Sequence, residues 1–437
     1  MISKNINQSN RLKKRARKII PHQTGTFSSA ATSFVEGVYP VYAKSADGCN
    51  FVDVDGNEYV DYLLGLGPIT LGYNYDSVNK AILEQLKDGI LFSLPHPKEI
   101  EVSELICKII PHADMIKLEK SGSNAVTGAV RAARSITQKD KIAYCGSGGV
   151  WHDWQAAMVS RNSGVPSFNN DLIKIFDYND AEGLEQIFEE NKNSISCIVV
   201  EPTIYKKPKG GFLQKIRKIA DQHDAILILD EIVTGFRFDL KGGQKFFNIE
   251  GDMCCFGKGM GNGLPISAIT GKSEFMKEFD KLWVSSTNNR ETLSMAGTIA
   301  VINEMQNKET IDHCWEMGKM LQDGWNKISN NFNLPIKLVG YPIRMTLSCN
   351  NSKGKISKSF KALILQELIK KGIFFSPGSI FLSYSHKKNH IETTLTIFEE
   401  ICRHIKEKIK NDNYDKFLEG KIPQTVWTQR ILSTKKT

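Results

Sequence analysis

The sequence AILILDEIVTGFR at residues 225–237 decides the fold of this chain, together with CCFGKGMGNG at residues 254–263. The first segment begins with an aliphatic run and reaches the carboxylate of Asp230. Such a run is typical of a buried parallel strand, whose carboxyl end opens into the crevice where α/β sheets bind ligands. The second segment brings Lys258 after another apolar run and surrounds it with glycines, which let a flat molecule approach the backbone. We therefore expect a buried carboxylate and a buried lysine.

A buried lysine with a buried carboxylate is the pair that a pyridoxal phosphate enzyme requires. Lys258 would form a Schiff base, and Asp230 would keep the pyridine nitrogen protonated so that the ring withdraws electrons. For each motif taken alone, a structural ion pair or a glycine-rich turn is the favoured interpretation. The rest of the chain has to decide between these interpretations.

Two further segments offer groups for a phosphate and a ring. Met115–Leu118 predicts a short strand, and the turn Ser121–Asn124 leads into an alanine-rich helix. A helix N-terminus after such a turn binds anions, although an ordinary capped helix has the same pattern. Trp151 follows a glycine run; it could lie flat on a ring or be a core tryptophan.

These motifs together resemble the class III aminotransferases, which are fold-type I pyridoxal phosphate-dependent transferases, and most of all the glutamate-1-semialdehyde 2,1-aminomutase branch. The resemblance runs from about residue 52 to residue 400. Its most specific part is DEIVTGFR at residues 230–237 with Lys258 28 residues after Asp230. It implies an α/β fold with a mostly parallel seven-stranded sheet in a large domain, plus a small α+β domain.

The resemblance also implies roles for individual residues. Lys258 would carry the cofactor and move a proton, Asp230 would pair with the pyridinium nitrogen, and Ile232 and Trp151 would pack on the two faces of the ring. The other cofactor-binding residues that it implies are Ser121, Gly122, Ser123, His152, Glu201 and Thr292. The three residues of the turn would bind the phosphate, and Thr292 would reach the phosphate of the neighbouring subunit in a homodimer with shared active sites. Thr292 is equally suited to capping the helix that follows it.

The expected reaction moves an amino group from a small-molecule donor to a carbonyl acceptor in a ping-pong cycle through the Lys258 Schiff base. An intramolecular aminomutase of glutamate-1-semialdehyde type is an alternative, and a catalytically inactive pyridoxal phosphate-binding regulator is another. Residues 21–29 lack the Pro-Gly-Gly-Val-Asn-Ser-Pro type of segment with which aminomutases usually open, and residues 203–208 depart from their pattern as well. These departures favour transamination. The presence of both Lys258 and Asp230 disfavours an inactive regulator.

The alternation of strand and helix patterns predicts three parts of the chain. Residues 1–70 would form an arm and a short antiparallel sheet, residues 71–325 a large cofactor-binding domain, and residues 326–437 a small domain with a tail. Residues 295–330 predict one long helix. The seven expected strands of the large domain are Ile116–Leu118, Ile142–Cys145, Leu172–Phe176, Cys197–Val200, Ile226–Leu229, Met253–Phe256 and Ile266–Thr270.

Composition limits the partners and the compartment. The net charge of +9 is concentrated at the two ends without interleaved aromatic residues, so we expect no nucleic-acid partner. There is no run of eighteen apolar residues, so we expect no membrane partner. Nine cysteines without a C-x-x-C pair suit a reducing compartment, and a cytoplasmic location is expected. No metal site is expected either, because His386 and His390 lie in a lysine-rich, loop-like segment where exposed histidines are the more common outcome.

Overall fold

The computed structural model describes residues 5–146, 149, 151–408 and 412–424. They form two compact units. One unit contains the described chain up to Tyr75 and again from Asp312 onward, and the other contains the residues between them. The first and last parts of the chain thus belong to the same unit, and the boundaries of the two units lie at residues 75 and 312.

The first unit opens with helix α1 (Asn7–Ala16). Asp55 holds the N-terminus of this helix, since its Oδ1 accepts from the Gln8 N–H at 2.6 Å and its Oδ2 from the Ser9 N–H at 2.8 Å. Three strands follow, namely β1 (Ala43–Asp47), β2 (Asn50–Asp53) and β3 (Glu58–Asp61). They pair antiparallel in that order.

A seven-stranded sheet is the centre of the second unit. Its strands are β4 (Met115–Glu119), β5 (Lys141–Cys145), β6 (Ile173–Ile175), β7 (Ile195–Val200), β8 (Ile226–Asp230), β9 (Met253–Phe256) and β10 (Ser267–Gly271). Their spatial order is β4-β10-β9-β8-β7-β5-β6, and of these seven strands β10 runs opposite to the other six. Each strand overlaps one of the seven expected segments, and the prediction of a mostly parallel seven-stranded sheet is confirmed.

Helices surround this sheet. They are α2 (Asp76–Asp88), α3 (Pro97–Ile109), α4 (Gly122–Thr137), α5 (Asp153–Ala156), α6 (Asn169–Leu172), α7 (Ala181–Glu190), α8 (Phe212–Gln222), α9 (Gly243–Phe247), α10 (Ser273–Met276) and α11 (Thr292–Asn307). Helix α4 buries a face of alanine and valine, including Ala125, Ala129 and Val130, in the core with Ile142 and Val199 of the sheet. Small side chains on this face let the α4 backbone lie close to the strands. Because α4 begins shortly after β4 ends, its N-terminus lies at the carboxyl end of that strand.

The first unit is completed by α12 (Thr310–Asn331), β11 (Ile336–Tyr341), β12 (Arg344–Cys349), α13 (Lys358–Lys370), β13 (Ile373–Phe374), β14 (Ile380–Phe381) and α14 (Lys388–Lys408). Strand β13 adds to β3 in parallel, while β11, β12 and β14 form a separate antiparallel sheet. The single long helix expected over residues 295–330 is two helices, α11 and α12. The helical conformation is interrupted between them, where Glu309 takes a φ of +47°.

His386 corrects another expectation, because its side chain is fully buried rather than exposed. Its Nδ1 accepts from the Ser383 N–H at 3.1 Å and lies 2.9 Å from the Ser383 hydroxyl. Burial lowers the pKa of His386 to about 3, so the ring is neutral. Within the described ranges, no group of three or more His, Cys, Asp or Glu side chains is arranged to hold a metal ion. None of the helices described is long and apolar enough to cross a membrane.

Candidate active site

The carboxyl ends of β8 and β9 bring Asp230 and Lys258 to one region. Asp230 is the last residue of β8 and pairs in register with Cys255 of β9, and the Glu231 N–H donates to the Cys255 carbonyl at 2.9 Å. Lys258 lies three residues beyond Cys255 and begins a short 3-10 turn. Both side chains are half-buried rather than fully buried, which leaves them accessible to a ligand.

Lys258 has an unusual backbone conformation. Its φ is +39°, in the left-handed region that residues with a Cβ rarely adopt. Such strained positions persist only where the surrounding structure determines them, and they are concentrated at functional sites.

Ile232 lies between the turn at the start of α4 and the segment that carries Lys258. A methyl group added to Gly122 would lie 2.9 Å from the Ile232 Cδ1, and one added to Gly257 would lie 3.2 Å from the same atom. A side chain at Gly122 would therefore displace Ile232, and one at Gly257 would crowd it. The backbone N–H of Ile232 donates to the Asp230 Oδ1 at 3.1 Å, so the strand end, the turn and the lysine segment meet around one side chain.

Ser121 caps α4, and its hydroxyl oxygen accepts from the Asn124 N–H at 3.3 Å. The Ser267 hydroxyl donates to the Ser121 carbonyl at 2.8 Å and fixes the turn against β10. The N–H groups of the first turn of α4, including those of Gly122 and Ser123, have no partner within the helix, as at every helix N-terminus. This is the geometry that binds a phosphate.

Trp151 and His152 lie beside the first turns of α4. The His152 Nδ1 is 2.6 Å from the Thr127 hydroxyl, and burial lowers the pKa of this histidine. The Trp151 ring is 4.5 Å from that of His152 and is 72% exposed. Trp151 is therefore not a core tryptophan. Part of the preceding glycine run, residues 147, 148 and 150, is outside the described residues.

Glu201 follows β7 and is buried. Its N–H donates to the carbonyl of Cys145, the last residue of β5, at 3.1 Å. Glu201 thus lies at the same carboxyl edge of the sheet as Asp230.

Thr292 is the first residue of α11, and its side chain is fully buried. Its hydroxyl is 3.1 Å from each of the carbonyl oxygens of Gly89 and Ile90 in its own chain. It does not cap α11, because the Glu291 carboxylate accepts from the Leu293 N–H at 2.9 Å and from the Ser294 N–H.

Glu231 is a site residue that the sequence patterns did not single out. Its carboxylate is buried and accepts from the N–H groups of Gly243 and Gln244 and from the Thr234 hydroxyl, at 2.5, 2.7 and 2.9 Å. Burial raises its pKa to about 7. These bonds fix the chain immediately after Asp230. One feature of the sequence could have indicated the position of Glu231. It follows Asp230 directly, so its side chain points to the opposite side of the strand end.

The residues assembled here fit pyridoxal phosphate. An amine and a carboxylate lie at adjacent strand ends, a helix N-terminus lies beside them, and an apolar side chain fills the space between. Glycines occur where a Cβ would collide with that side chain. A charged phosphate and a flat ring need this combination of groups.

Comparisons with known proteins agree with this geometry. The chain is 32% identical over 386 residues to the 3-aminobutyryl-CoA aminotransferase of Cloacimonas acidaminovorans (strain Evry), covering 86% of this chain and 92% of the relative. It is 30% identical over 437 residues to a glutamate-1-semialdehyde 2,1-aminomutase of Alkaliphilus oremlandii (strain OhILAs), covering 92% and 100%. The solved structure of the pyridoxal phosphate internal aldimine form of the FumI protein from Sphingopyxis sp. MTA144 superposes with a TM-score of 0.86 at 22% identity, covering 95% and 98%.

The structural likeness confirms the predicted fold-type I architecture. Residues 33–402 match the family model for aminotransferase class-III, an enzyme family that uses pyridoxal phosphate, so the predicted cofactor is confirmed as well. The comparisons give no support to an inactive regulator. This chain belongs to the class III aminotransferases.

Proposed function

We propose that this enzyme transfers an amino group between two different small molecules and is not a glutamate-1-semialdehyde aminomutase. The near-equal identities to an aminotransferase and an aminomutase do not decide between the two reactions. The loop after Glu201 is the observation that favours transfer. The Thr203 hydroxyl is buried and donates to the Lys206 carbonyl at 2.7 Å, so the loop closes into a turn with Lys206 and Lys207 exposed. The residues of this loop differ from the pattern that aminomutases have at the same place.

In this proposal each residue has one task. Pyridoxal phosphate supplies a ring that withdraws electrons from the reacting carbon. The Lys258 amine would hold the cofactor and move the proton at that carbon. The Asp230 carboxylate would hold a proton on the ring nitrogen by a charge-assisted hydrogen bond. Ile232 and Trp151 would pack on the two faces of the ring.

The remaining cofactor contacts follow from the site geometry. The turn Ser121–Ser123 would bind the phosphate through backbone N–H groups. His152 supports the first turns of α4 through Thr127. Glu201 would lie near the phenolic oxygen of the cofactor.

The test is mass spectrometry of the pyridoxamine phosphate-loaded enzyme with a panel of carbonyl acceptors. The first relative makes the oxo counterpart of 3-aminobutyryl-CoA an obvious member of the panel, next to free oxo acids and oxo sugars. A transferase should add the amine to one acceptor and return the cofactor to its pyridoxal form. If every acceptor stays unchanged while glutamate-1-semialdehyde is isomerised, the enzyme is an aminomutase.

We also propose that the enzyme is a homodimer with shared active sites. Several large apolar side chains between residues 83 and 100 are exposed, and a cluster of exposed apolar side chains usually marks an interface. They are Leu83, Leu86, Ile90, Leu91, Leu94 and Ile100. In this proposal Thr292, the first residue of α11, serves the cofactor phosphate of the partner subunit.

Valine at Thr292 should raise the dissociation constant of pyridoxal phosphate about tenfold, because a hydrogen bond to a charged phosphate is lost. Valine at Thr287 is the matched control, since Thr287 is exposed in the turn Thr287–Arg290 before α11. It should leave the affinity nearly unchanged. Cofactor titration by absorbance gives both constants. An unchanged affinity in Thr292→Val, or a fully active monomer in sedimentation, would contradict the shared site.

We propose in addition that the enzyme works in the cytoplasm. All nine cysteines are free thiols, and eight of them are buried. Free thiols in this number suit a reducing compartment.

A further inference from the structure

The hydroxyl of Thr127 lies between two side chains of the segment that follows the glycine run. Thr127 is in α4, four residues beyond Ser123. Its Oγ1 accepts from the Trp154 Nε1–H at 2.9 Å and lies 2.6 Å from the His152 Nδ1. Because Trp151 directly precedes His152, one hydroxyl of α4 contacts the segment that carries the tryptophan assigned to the cofactor ring.

The donors and acceptors of this arrangement determine which nitrogen of His152 carries the proton. An indole N–H can only donate, so the Thr127 oxygen accepts from Trp154 and its own hydrogen remains to be donated. Among the described residues, the other hydrogen-bond partner of this hydroxyl is the His152 Nδ1. That nitrogen therefore accepts, and the ring proton is on Nε2. Burial lowers the pKa of His152, and a hydrogen bond to the Ser123 backbone opposes that fall. His152 is thus joined to α4 by its contacts with Thr127 and with the Ser123 backbone.

Trp154 is the rigid end of this series of contacts. Its side chain is buried in the core that α4 shares with the sheet, and the next residue, Gln155, donates to the tyrosine hydroxyl of β5 at 2.5 Å. Trp151, by contrast, is exposed, and its ring lies against that of His152. The position of Trp151 therefore depends on His152, which the hydroxyl of α4 joins to the buried Trp154.

We propose that Thr127 is a positioning residue, whose hydroxyl joins Trp154 to His152 and so holds Trp151 against the face of the bound cofactor. This inference rests on the proposed function, in which Trp151 packs on the ring. Without the hydroxyl, the Trp154 N–H and the His152 Nδ1 lose the partner that they share, and polar groups left without a partner in a shielded place favour a rearrangement. A tryptophan that is no longer held then loses its packing on the ring, which weakens cofactor binding.

The experiment uses the holoenzyme and measures two properties of the bound cofactor. These are the dissociation constant, by absorbance titration, and the circular dichroism of the cofactor band, which depends on how the ring is held. Thr127→Val keeps the shape of the side chain and removes the hydroxyl. It should raise the dissociation constant about fivefold, which corresponds to one lost hydrogen bond, and weaken the circular dichroism.

Two further variants control for the loss of the hydroxyl. Thr127→Ser restores it and should return the dissociation constant to within about twofold of the wild type. Thr137→Val is the matched control on the same helix, because the Thr137 hydroxyl donates to the Ala133 carbonyl at 2.7 Å near the far end of α4. It should leave both properties of the cofactor unchanged.

A double variant shows whether Thr127 acts through the tryptophan. In a Trp151→Ala background, Thr127→Val should change the dissociation constant by less than about twofold, because the side chain that it positions is absent. A full effect in that background would mean that Thr127 acts on the phosphate turn instead, and would overturn the inference. A lower melting temperature with both cofactor properties unchanged in Thr127→Val would overturn it too.

Trp154→Phe tests the same contacts from the other side, and it decides the matter if Thr127→Val does not fold. It removes the indole N–H and keeps an aromatic ring in the core, so the hydroxyl loses its rigid partner. The circular dichroism of the cofactor band should weaken as in Thr127→Val, and an unchanged band would contradict the inference. If the wild type fails to take up pyridoxal phosphate, the proposed function fails instead, independently of these variants.

Discussion

Alanine at Lys258 should reduce transamination by more than about 10⁴-fold, because the group that holds the cofactor covalently and moves the proton is removed. The wild-type protein should be yellow, and treatment with borohydride should abolish its absorption band. The variant should lack the band of the lysine-linked cofactor. Absorbance spectra and steady-state rates measure both effects.

Lys277→Ala is the control for this substitution. Lys277 is exposed and lies outside the site, so its variant should keep the yellow colour and the transamination rate of the wild type. A Lys258→Ala protein with wild-type activity would refute the assignment of the lysine. A colourless wild type that takes up no added cofactor would refute the whole active-site proposal.

Asparagine at Asp230 should leave cofactor binding largely intact and lower turnover by about 10²- to 10³-fold, the range seen when a charge that stabilises a transition state is removed. Without the carboxylate the ring nitrogen loses its proton, and the ring withdraws electrons less strongly. The separation of a small change in affinity from a large change in kcat is the expected signature.

Asp224→Asn is a matched control at the opposite end of the same strand. Asp224 is exposed and immediately precedes Ala225 and β8, so it undergoes the same chemical change far from the cofactor. It should keep the wild-type kcat. Near wild-type transamination by Asp230→Asn would show that another group protonates the ring.

The sheet and the position of the two central residues were predictable because each depends on a local pattern. Buried parallel strands are continuous aliphatic runs, so Ile226–Leu229 and Cys197–Val200 were identified from the sequence. Asp230 and Lys258 could be assigned because they end such runs. The glycine at residue 122 was also predictable, since a helix N-terminus that binds phosphate needs close backbone approach.

The sequence could not predict the surroundings of a side chain where they depend on contacts distant in sequence. The carbonyls that accept from Thr292 belong to residues 89 and 90, and no pattern near Thr292 indicates them. His386 is buried by the packing of its unit although its neighbours are lysines, and its partner Ser383 is part of an ordinary polar stretch. The contact between Lys120 and Glu291 spans 171 residues, so only the folded chain reveals it.

The left-handed backbone of Lys258 connects the supply of cofactor with the stability and abundance of the folded protein. A residue with a Cβ in this conformation costs on the order of 1 kcal/mol relative to glycine, and here the chemistry requires lysine. The folded state without cofactor carries this cost unopposed. Bound cofactor shifts the folding equilibrium back by mass action. Cells short of cofactor should therefore hold a larger unfolded fraction of this protein and degrade it faster.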